Sequence, residues 1–217
     1  MTLSEENYLK AIYHLEQLSG SGVSTNALAE EMQTKASSAT DMVKKLADKQ
    51  MLIHVPYQGA TLSDAGRSHA VKVIRKHRLW ETFLVEKLNF KWDEVHDVAE
   101  QLEHIKSEKL IDELDRFLEF PKYDPHGDPI PDKNGKFNTI EKITLTQALE
   151  NKSYRCIGVK DDSSQFLKYL DSNQIGLGTS FEVVHKEPFD QSVKIKLKDK
   201  ELVVSQSVAK NLFLETL

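Results

Sequence analysis

Residues 23–55, VSTNALAEEMQTKASSATDMVKKLADKQMLIHV, decide the fold that this sequence predicts. A short helix is expected to begin at Ser24 or Thr25, either of which can cap it, with Leu28 and Met32 facing inward. After a tight turn, a further helix begins with small polar residues and continues through KKLADKQ. Two short helices joined in this way are typical of a helix-turn-helix module.

The residues on both sides complete this module. Upstream, SEENYLKAIYHL has apolar residues at helical spacing, which predicts a first helix capped by Ser4. Downstream, MLIHV and ATLSDAGR flank PYQG, where Pro56 and Gly59 mark a turn between short strands. Because such a hairpin is the wing of a winged helix, residues 1–71 are expected to form a winged helix-turn-helix domain that binds DNA.

The start of the third predicted helix carries side chains that can reach DNA. Hydroxyl groups can bond bases or phosphates and lysines can meet phosphates, so these residues do not reveal a base sequence. The alternative is ordinary capping and solvent exposure, which the surrounding helix-turn-helix and wing make less favoured. The candidate DNA-binding residues are Lys35, Ser37, Ser38, Thr40, Asp41, Lys44 and Lys45.

A second pattern, WDEVHDVAEQLEH at residues 92–104, contains histidines and glutamates at helical intervals. Residues four apart stack on one helix face, about 5–6 Å between Cβ atoms, so such a pair can hold one cation. For any single pair a solvated helix face is the simpler interpretation. There are three pairs, however: His96 with Glu100, Glu100 with His104, and, just upstream, His77 with Glu81. Together they favour one or two divalent-metal sites. Imidazole and carboxylate suit Mn²⁺, Fe²⁺, Zn²⁺ or Co²⁺. The six candidate ligands are His77, Glu81, His96, Glu100, Glu103 and His104.

Composition and charge exclude several classes of protein. The N-terminus lacks the features of a leader peptide, and no segment approaches the roughly 20 apolar residues of a membrane span, which predicts a cytoplasmic protein with no membrane partner. The net charge of −5 argues against indiscriminate coating of nucleic acid. Residues 1–78 nevertheless hold ten Lys and Arg against eight Asp and Glu, which suits a DNA-facing end. The single cysteine, Cys156, excludes an internal disulfide and is expected in a buried strand.

The remaining chain divides into a helical and a β-rich part. Residues 72–138 are expected to form a helical dimerisation and metal-binding domain, because a broad apolar face on a small helical domain is commonly a dimer seam. Residues 139–150 are expected to be a linker. In residues 151–217, YRCIGV, SFEVVHK, SVKIKLK and ELVVSQ are candidate strands around the short helix SSQFLKYLDSN, which predicts a small SH3-like β-barrel. The predicted fold is therefore mainly α with β.

The chain resembles the diphtheria-toxin-repressor family of metal-dependent transcriptional regulators, in its three-domain form. The resemblance covers essentially the whole chain and rests on ENYLKAIYHLE, LSDAGR, RKHRLWETFL, VHDVAEQLEH and HGDPIP, in family order and at family spacing. It implies a homodimer that binds operator DNA when Fe²⁺ or Mn²⁺ is abundant and represses genes of metal uptake. It also implies a FeoA-like C-terminal domain.

The resemblance assigns the candidate ligands to two sites. An ancillary site is implied at His77, Glu81 and His96, completed by Asp162 and Gln165 from the C-terminal domain. A regulatory site is implied at Glu100, Glu103 and His104, together with Asn7 from the first helix.

This chain departs from the family pattern in the first helix. Iron-type relatives carry Met and manganese-type relatives carry Asp where this chain has Asn7, and Lys10 replaces a Glu of the shorter manganese regulators. Glu rather than Cys at position 100 resembles the manganese branch, since oxygen and imidazole ligands suit Mn²⁺. The expected cofactor is Mn²⁺, with Fe²⁺ as the alternative, at one or two ions per subunit.

Two other classes of function remain open from the sequence. A metal-dependent enzyme has little support, because HExxH is absent and Gln101 interrupts the Glu-x-x-His motif of di-iron proteins, so no enzymatic activity is expected. The other is a winged-helix regulator that senses a different effector and holds metal only structurally. The histidines without a partner at ligand spacing, expected to be surface or core residues, are His14, His54, His69, His126 and His185.

Overall fold

The computed structural model describes residues 1–20, 22–55, 59–198 and 200–217, without the side chains of residues 54 and 55. The turn predicted at Pro56 and the side chain of His54 lie outside this description. The chain forms two compact units. The first comprises Met1–His77, Glu100–Glu113 and Pro131–Phe137, and the second Arg78–Ala99, Leu114–Ile130 and Asn138–Leu217.

The first unit begins with three helices, α1 (Leu3–Ser19), α2 (Thr25–Glu31) and α3 (Ala36–Asp48). The cap of α2 is Ser24, one of the two predicted candidates, and its hydroxyl accepts from the Ala27 N–H. The cap predicted for α1 at Ser4 is wrong. Thr2 caps α1 because Thr2 and Glu5 stand three residues apart and can form a reciprocal capping box, each side chain accepting from the other's backbone N–H.

The wing strands follow these helices as β1 (Leu52–Val55) and β2 (Gly59–Leu62), paired antiparallel. Gly59 has a φ of +89°, and a Cβ there would lie 2.7 Å from the Val23 carbonyl oxygen, so a larger residue would not fit. The core that holds helices and wing together is apolar, and its fully buried side chains include Leu9, Ile12 and Leu46. The helix-turn-helix and the wing strands therefore form as the apolar spacing predicted.

Helix α4 (Asp64–Leu88) begins in the first unit and ends in the second, and α5 (His96–Leu102) and α6 (Glu108–Phe117) follow it. The helical intervals in residues 92–104 predicted a helix over the whole stretch, but α5 is shorter at both ends. The first four residues of the stretch precede α5, and after Leu102 the Ile105 N–H donates to the Leu102 carbonyl across three residues, which closes the helix. Glu103 and His104 therefore lie in a turn.

The second unit contains a six-stranded antiparallel sheet in the order β3-β8-β4-β5-β6-β7. The four predicted strands and the predicted helix are present. Two strands were not predicted, although Leu212 and Leu214 in the last one alternate with more exposed residues and are fully buried. The elements are β3 (Ile143–Thr144), a 3-10 helix (Leu145–Gln147), β4 (Lys152–Val159), α7 (Ser164–Ser172), β5 (Ser180–Lys186), β6 (Val193–Leu197), β7 (Lys200–Val204), α8 (Gln206–Ala209) and β8 (Leu212–Thr216).

Residues 139–150, which the sequence predicted as a linker, contain β3 and the 3-10 helix. Leu145 is fully buried in the core of the second unit, so part of this segment belongs to that unit's fold. Cys156 is buried in β4, as predicted.

A close contact in the second unit fixes the loop that carries HGDPIP. The Val159 N–H donates to the His126 carbonyl at 2.9 Å. A Cβ at Gly127 would lie 2.1 Å from the Ile157 carbonyl oxygen, so only glycine allows this approach. The loop is therefore held against β4. Of the helices described, none is both long and apolar enough to cross a bilayer.

Candidate metal centres

The residues predicted for the regulatory site converge in the first unit, around the carboxylate of Glu103. This carboxylate is fully buried, and the Lys10 ammonium donates to both of its oxygens, at 2.8 and 2.9 Å. His77 Nδ1 lies 2.6 Å from Glu103 Oε2, and His104 Nε2 lies 3.5 Å from Glu103 Oε1. Glu100 Oε1 lies 3.2 Å from Lys10 Nζ. Burial alone would raise the pKa of Glu103, but the bond from His77 and the charge of Lys10 lower it.

Glu6 joins this group, although its position in the sequence did not predict it. Its Oε2 lies 2.6 Å from His104 Nδ1 and its Oε1 lies 3.1 Å from His69 Nε2. Burial would raise the pKa of Glu6, but the bonds with His104 and His69 lower it. Glu6 and His104 are 98 residues apart along the chain, so no helical spacing could reveal the pair. We call Glu6, Lys10, His77, Glu100, Glu103 and His104 the first cluster.

Asn7 follows Glu6 on α1 and stands three residues before Lys10. Its side-chain oxygen Oδ1 is buried and has no hydrogen-bond partner among the residues that the structure describes. A buried acceptor without a partner is costly and needs an explanation. A neutral amide oxygen can ligate a hard cation, so the residue fits the ligand role predicted for it.

The second unit brings together three of the residues predicted for the ancillary site. Glu81 Oε1 lies 3.8 Å from His96 Nδ1, and His96 Nδ1 lies 4.0 Å from Asp162 Oδ2. Gln165 is exposed in the first turn of α7. His77 precedes Glu81 by one turn of α4 and belongs to the first unit.

Two further residues of the second unit, Asp124 and His126, were not predicted. Glu81, Asp124 and His126 are all buried, and each offers a ligand atom within 4.8 Å of the others. His126 Nδ1 lies 3.6 Å from Glu81 Oε2, and its Nε2 donates to the Trp92 carbonyl at 2.8 Å. The bond to Trp92 leaves Nδ1 to face the carboxylates. We call Glu81, His96, Asp124, His126 and Asp162 the second cluster.

His126 was expected to be a surface or core residue and it is buried, but the sequence did not reveal its carboxylate partner. Its partner Glu81 lies on α4, far away in sequence, whereas the prediction compared only residues on one helix. Burial, together with the negative charge of Glu81, raises the pKa of Asp124. Two buried carboxylates at one point repel each other, and a divalent cation would relieve that repulsion.

Comparison with known proteins gives the family. Three family models match the chain: "Iron dependent repressor, N-terminal DNA binding domain" over residues 1–60, "Iron dependent repressor, metal binding and dimerisation domain" over residues 63–132, and "FeoA domain" over residues 143–216. A solved manganese-dependent transcriptional repressor in complex with manganese is 34% identical, with 98% of this chain and 100% of that one covered and a TM-score of 0.87. The chain belongs to the diphtheria-toxin-repressor family.

Other members of the diphtheria-toxin-repressor family are similar over different lengths. The solved manganese regulator SloR is 33% identical over 100% of both chains, with a TM-score of 0.78. The iron-dependent repressor IdeR of Mycobacterium tuberculosis strain H37Rv is 33% identical over 126 residues, which are 58% of this chain. The match spans about half of IdeR, 54% of its length. These similarities confirm the three-domain fold predicted from the sequence, with its winged helix, its helical dimerisation domain and its SH3-like domain.

In this member of the diphtheria-toxin-repressor family, the predicted DNA-binding residues gather at α3. All seven lie on α3 or at its cap, and all except Thr40 are exposed. The Thr40 hydroxyl donates to the Ala36 carbonyl at 2.8 Å. Lys45 Nζ lies 2.9 Å from Glu5 Oε1, so this lysine also has a structural partner. The hydrogen bond from Lys49, together with the Thr2 N–H and Lys45, lowers the pKa of Glu5 to about 2.

Proposed function

We propose that this chain is a transcriptional repressor that binds operator DNA as a homodimer when Mn²⁺ or Fe²⁺ occupies its first cluster. One observation carries the proposal: Glu100, Glu103 and His104 meet residues of α1 inside the unit that also holds the helix-turn-helix. The regulated genes are proposed to be those of metal uptake. We propose no enzymatic activity. We retain residues 1–71 and 72–138 as the first two predicted domains, and we begin the C-terminal domain at residue 143, where the match to the FeoA domain starts, because Leu145 lies in its core.

The residues of the first cluster fit a divalent ion. Carboxylates, one imidazole and an amide oxygen are hard or borderline donors, which favours Mn²⁺ over a thiophilic metal. The proposed regulatory ligands are Asn7, Glu100, Glu103 and His104. The buried Asn7 oxygen supports this set because it has no other partner among the described residues.

The second cluster fits a further ion. Glu81, Asp124 and His126 supply two carboxylates and one imidazole at a buried point. His96 and Asp162 lie at the edge of this group, and both are exposed. We propose these five as ligands, and His77 and Gln165 stay candidates from the family resemblance. Two clusters of this kind support up to two ions per subunit.

A connection between α1 and residues 100–104 would act directly on the DNA-binding helices. Helix α1 packs in the same core as α2 and α3, so fixing α1 also fixes α3. Bound metal supplies positive charge that joins the α1 oxygen ligand to Glu100, Glu103 and His104. The state in which α1 is held in place is the state in which α3 is positioned to contact DNA. Metal shifts the population toward this state by as much as it holds α1 more tightly than the Lys10–Glu103 contact that it replaces, and operator DNA tightens metal binding by the same factor.

Homodimerisation has its own support in the second unit. Leu88, Phe117 and Phe120 are large apolar side chains that are more than half exposed. They lie in or next to helices of the part that matches a dimerisation domain. Exposed apolar residues of this size are typical of a protein interface. A twofold dimer would present two copies of α3 about 34 Å apart, which suits a pseudopalindromic operator.

Fluorescence anisotropy of labelled DNA from upstream of metal-uptake genes tests the proposal. Metal-stripped protein is titrated with Mn²⁺, with Fe²⁺ under anaerobic conditions and with Zn²⁺, at one fixed salt concentration. Tight binding is expected only with Mn²⁺ or Fe²⁺. His104→Ala should weaken the metal-dependent binding of operator DNA. His185→Ala, a change at an exposed histidine of the second unit, should leave that binding intact.

Operator binding of equal affinity with and without added metal would contradict the proposal. If metal then raised only the melting temperature, its role would be structural and the regulator would respond to another effector.

A further inference from the structure

Lys10 is the unusual member of the first cluster, because it places a positive charge where a metal ion would need negative ones. Its side chain is only 13% exposed. Its ammonium lies within hydrogen-bond distance of three carboxylate oxygens: both oxygens of Glu103, at 2.8 and 2.9 Å, and Glu100 Oε1, at 3.2 Å. An ammonium group has three N–H donors, so these three oxygens can use all of them.

The same oxygens are the proposed ligand atoms. A small divalent ion binds oxygen at about 2.0–2.2 Å, and an ammonium that stays on the same oxygen would then be within about 5 Å of the ion. Two cations at that distance in a partly buried site repel each other strongly. Full ligation by Glu103 therefore requires the ammonium to give up at least one of its contacts.

We propose that Lys10 is an internal competitor of the metal at the regulatory site. Without metal, its ammonium neutralises the buried carboxylate of Glu103 and keeps Glu100 close. When metal binds, the flexible lysine stem lets the ammonium move toward solvent. Lys10 thereby raises the metal concentration at which the site fills, and it restricts the site to one ion. This inference rests on the proposed function, since it takes Glu100 and Glu103 as ligands.

The neutralising role has a separate consequence for the metal-free protein. A fully buried carboxylate that loses its cation is strongly destabilising. On the Oε2 oxygen of Glu103, the remaining partner from the first cluster would be His77, whose Nδ1 lies 2.6 Å away. Removing the lysine charge should therefore weaken the metal-free fold and strengthen metal binding together. A lysine that acts only as a structural ion pair would weaken the fold without strengthening metal binding.

Equilibrium dialysis of the metal-stripped full chain against Mn²⁺, with bound ion measured by atomic absorption, tests the proposal. Lys10→Met and Lys10→Gln remove the charge, and Lys10→Arg keeps it. Lys72→Met is the matched control, because Lys72 is an exposed lysine of the same unit that pairs with Glu108 at 3.5 Å. We expect Lys10→Met and Lys10→Gln to bind Mn²⁺ at least about tenfold more tightly, and Lys10→Arg and Lys72→Met to stay within about threefold of wild type.

Stoichiometry and melting temperature complete the test. Lys10→Glu adds a carboxylate in place of the cation, so it should bind one more Mn²⁺ per chain than the wild type. The melting temperature of metal-free Lys10→Gln should fall and should recover on addition of Mn²⁺. Should Lys10→Met fail to fold without metal, Lys10→Gln carries the comparison. Unchanged or weaker Mn²⁺ binding by the folded charge-removing variants would overturn the inference.

Glu103→Gln separates this inference from the proposed function. If Glu103→Gln binds Mn²⁺ as the wild type does, Glu103 is not a ligand and the assignment of the regulatory site fails. If Glu103→Gln loses Mn²⁺ and operator binding while the Lys10 variants bind Mn²⁺ like the wild type, the proposed function stands and the competition by Lys10 does not exist.

Discussion

The two clusters balance their negative charge in different ways. In the first cluster, the buried Glu103 has Lys10 and His77 against it, and these partners lower its pKa. In the second cluster, Asp124 lies beside another buried carboxylate, Glu81, and its pKa is raised, although Arg78 Nε lies 3.4 Å away. Burial would lower the pKa of His126, but its bond with Glu81 outweighs this and raises that pKa to about 9, so the second cluster also holds cations, His126 and Arg78, against its carboxylates. The clusters therefore differ in which cation faces the carboxylates, an ammonium on α1 in the first and an imidazole and a guanidinium in the second.

The largest expected effect is on operator binding. Glu103→Gln removes the carboxylate at the centre of the first cluster and should weaken Mn²⁺-dependent operator binding by more than about 100-fold. Asp124→Asn should weaken it by about tenfold or less, because Asp124 belongs to the second unit and the DNA-binding helices belong to the first. Anisotropy titrations at fixed Mn²⁺ measure both. Equal losses would remove the distinction between the clusters.

The stability of the metal-free fold should rank the two variants in the same order. Glu103→Gln leaves Lys10 without the partner that binds it through two oxygens, and should lower the free energy of unfolding by roughly 3 kcal/mol. Asp124→Asn removes one of two like charges and should lower it by less than about 1 kcal/mol. Urea denaturation of the metal-stripped variants gives these values. A larger loss for Asp124→Asn would show that its bond with Arg78 outweighs the repulsion from Glu81.

A smaller effect is expected from Glu6, which contacts the imidazole of His104 through Nδ1. A carboxylate in this position orients a metal-ligating histidine, and its loss typically costs about 10- to 100-fold in metal affinity. Glu6→Gln should therefore weaken Mn²⁺ binding by about tenfold. His69→Gln, which changes the partner on the other oxygen of Glu6, should change it by less than about threefold. Dialysis of both variants against Mn²⁺ compares them, and a dominant effect of His69 would reverse this assignment.

The smallest expected effect is on the reactivity of the Cys156 thiol, which belongs to the second unit. Burial raises the pKa of the Cys156 thiol from 9.0 to about 11, so at pH 8 the native thiol stays protonated and should react slowly with a disulfide reagent. In the unfolded chain the thiol ionises from about pH 9, so its contribution to stability falls as the pH rises from 9 to about 11.

Metal should slow this thiol reaction further through the loop at His126, whose carbonyl bonds the Val159 N–H of β4. The wild type and Glu103→Gln should show slowing by about twofold to threefold on addition of Mn²⁺, and Asp124→Asn should not. Slowing that depends on Glu103 instead would assign the protection to the first cluster.

Local patterns predicted the parts of the fold that depend on neighbouring residues. Ser24 caps α2 because its hydroxyl reaches a backbone N–H three residues away, and the predicted strands β4 to β7 are present, with Phe181 and Val183 of β5 two residues apart and both buried. The patterns failed where local and distant forces compete. Helix α5 was expected to include His104, but it ends at Leu102, and the side chains of Glu103 and His104 bond α1 instead.

The sequence by itself determined the helix-turn-helix, the α-to-β order of the chain, the family and six of the candidate ligands, because each depends on spacing within one segment or on motifs read in order. Only the tertiary structure added Glu6, Asp124 and His126 to the clusters and placed the Lys10 ammonium on Glu103. Those pairs join residues from 43 to 98 positions apart along the chain. Whether two such side chains meet is decided by how the core packs, which no period along the chain records.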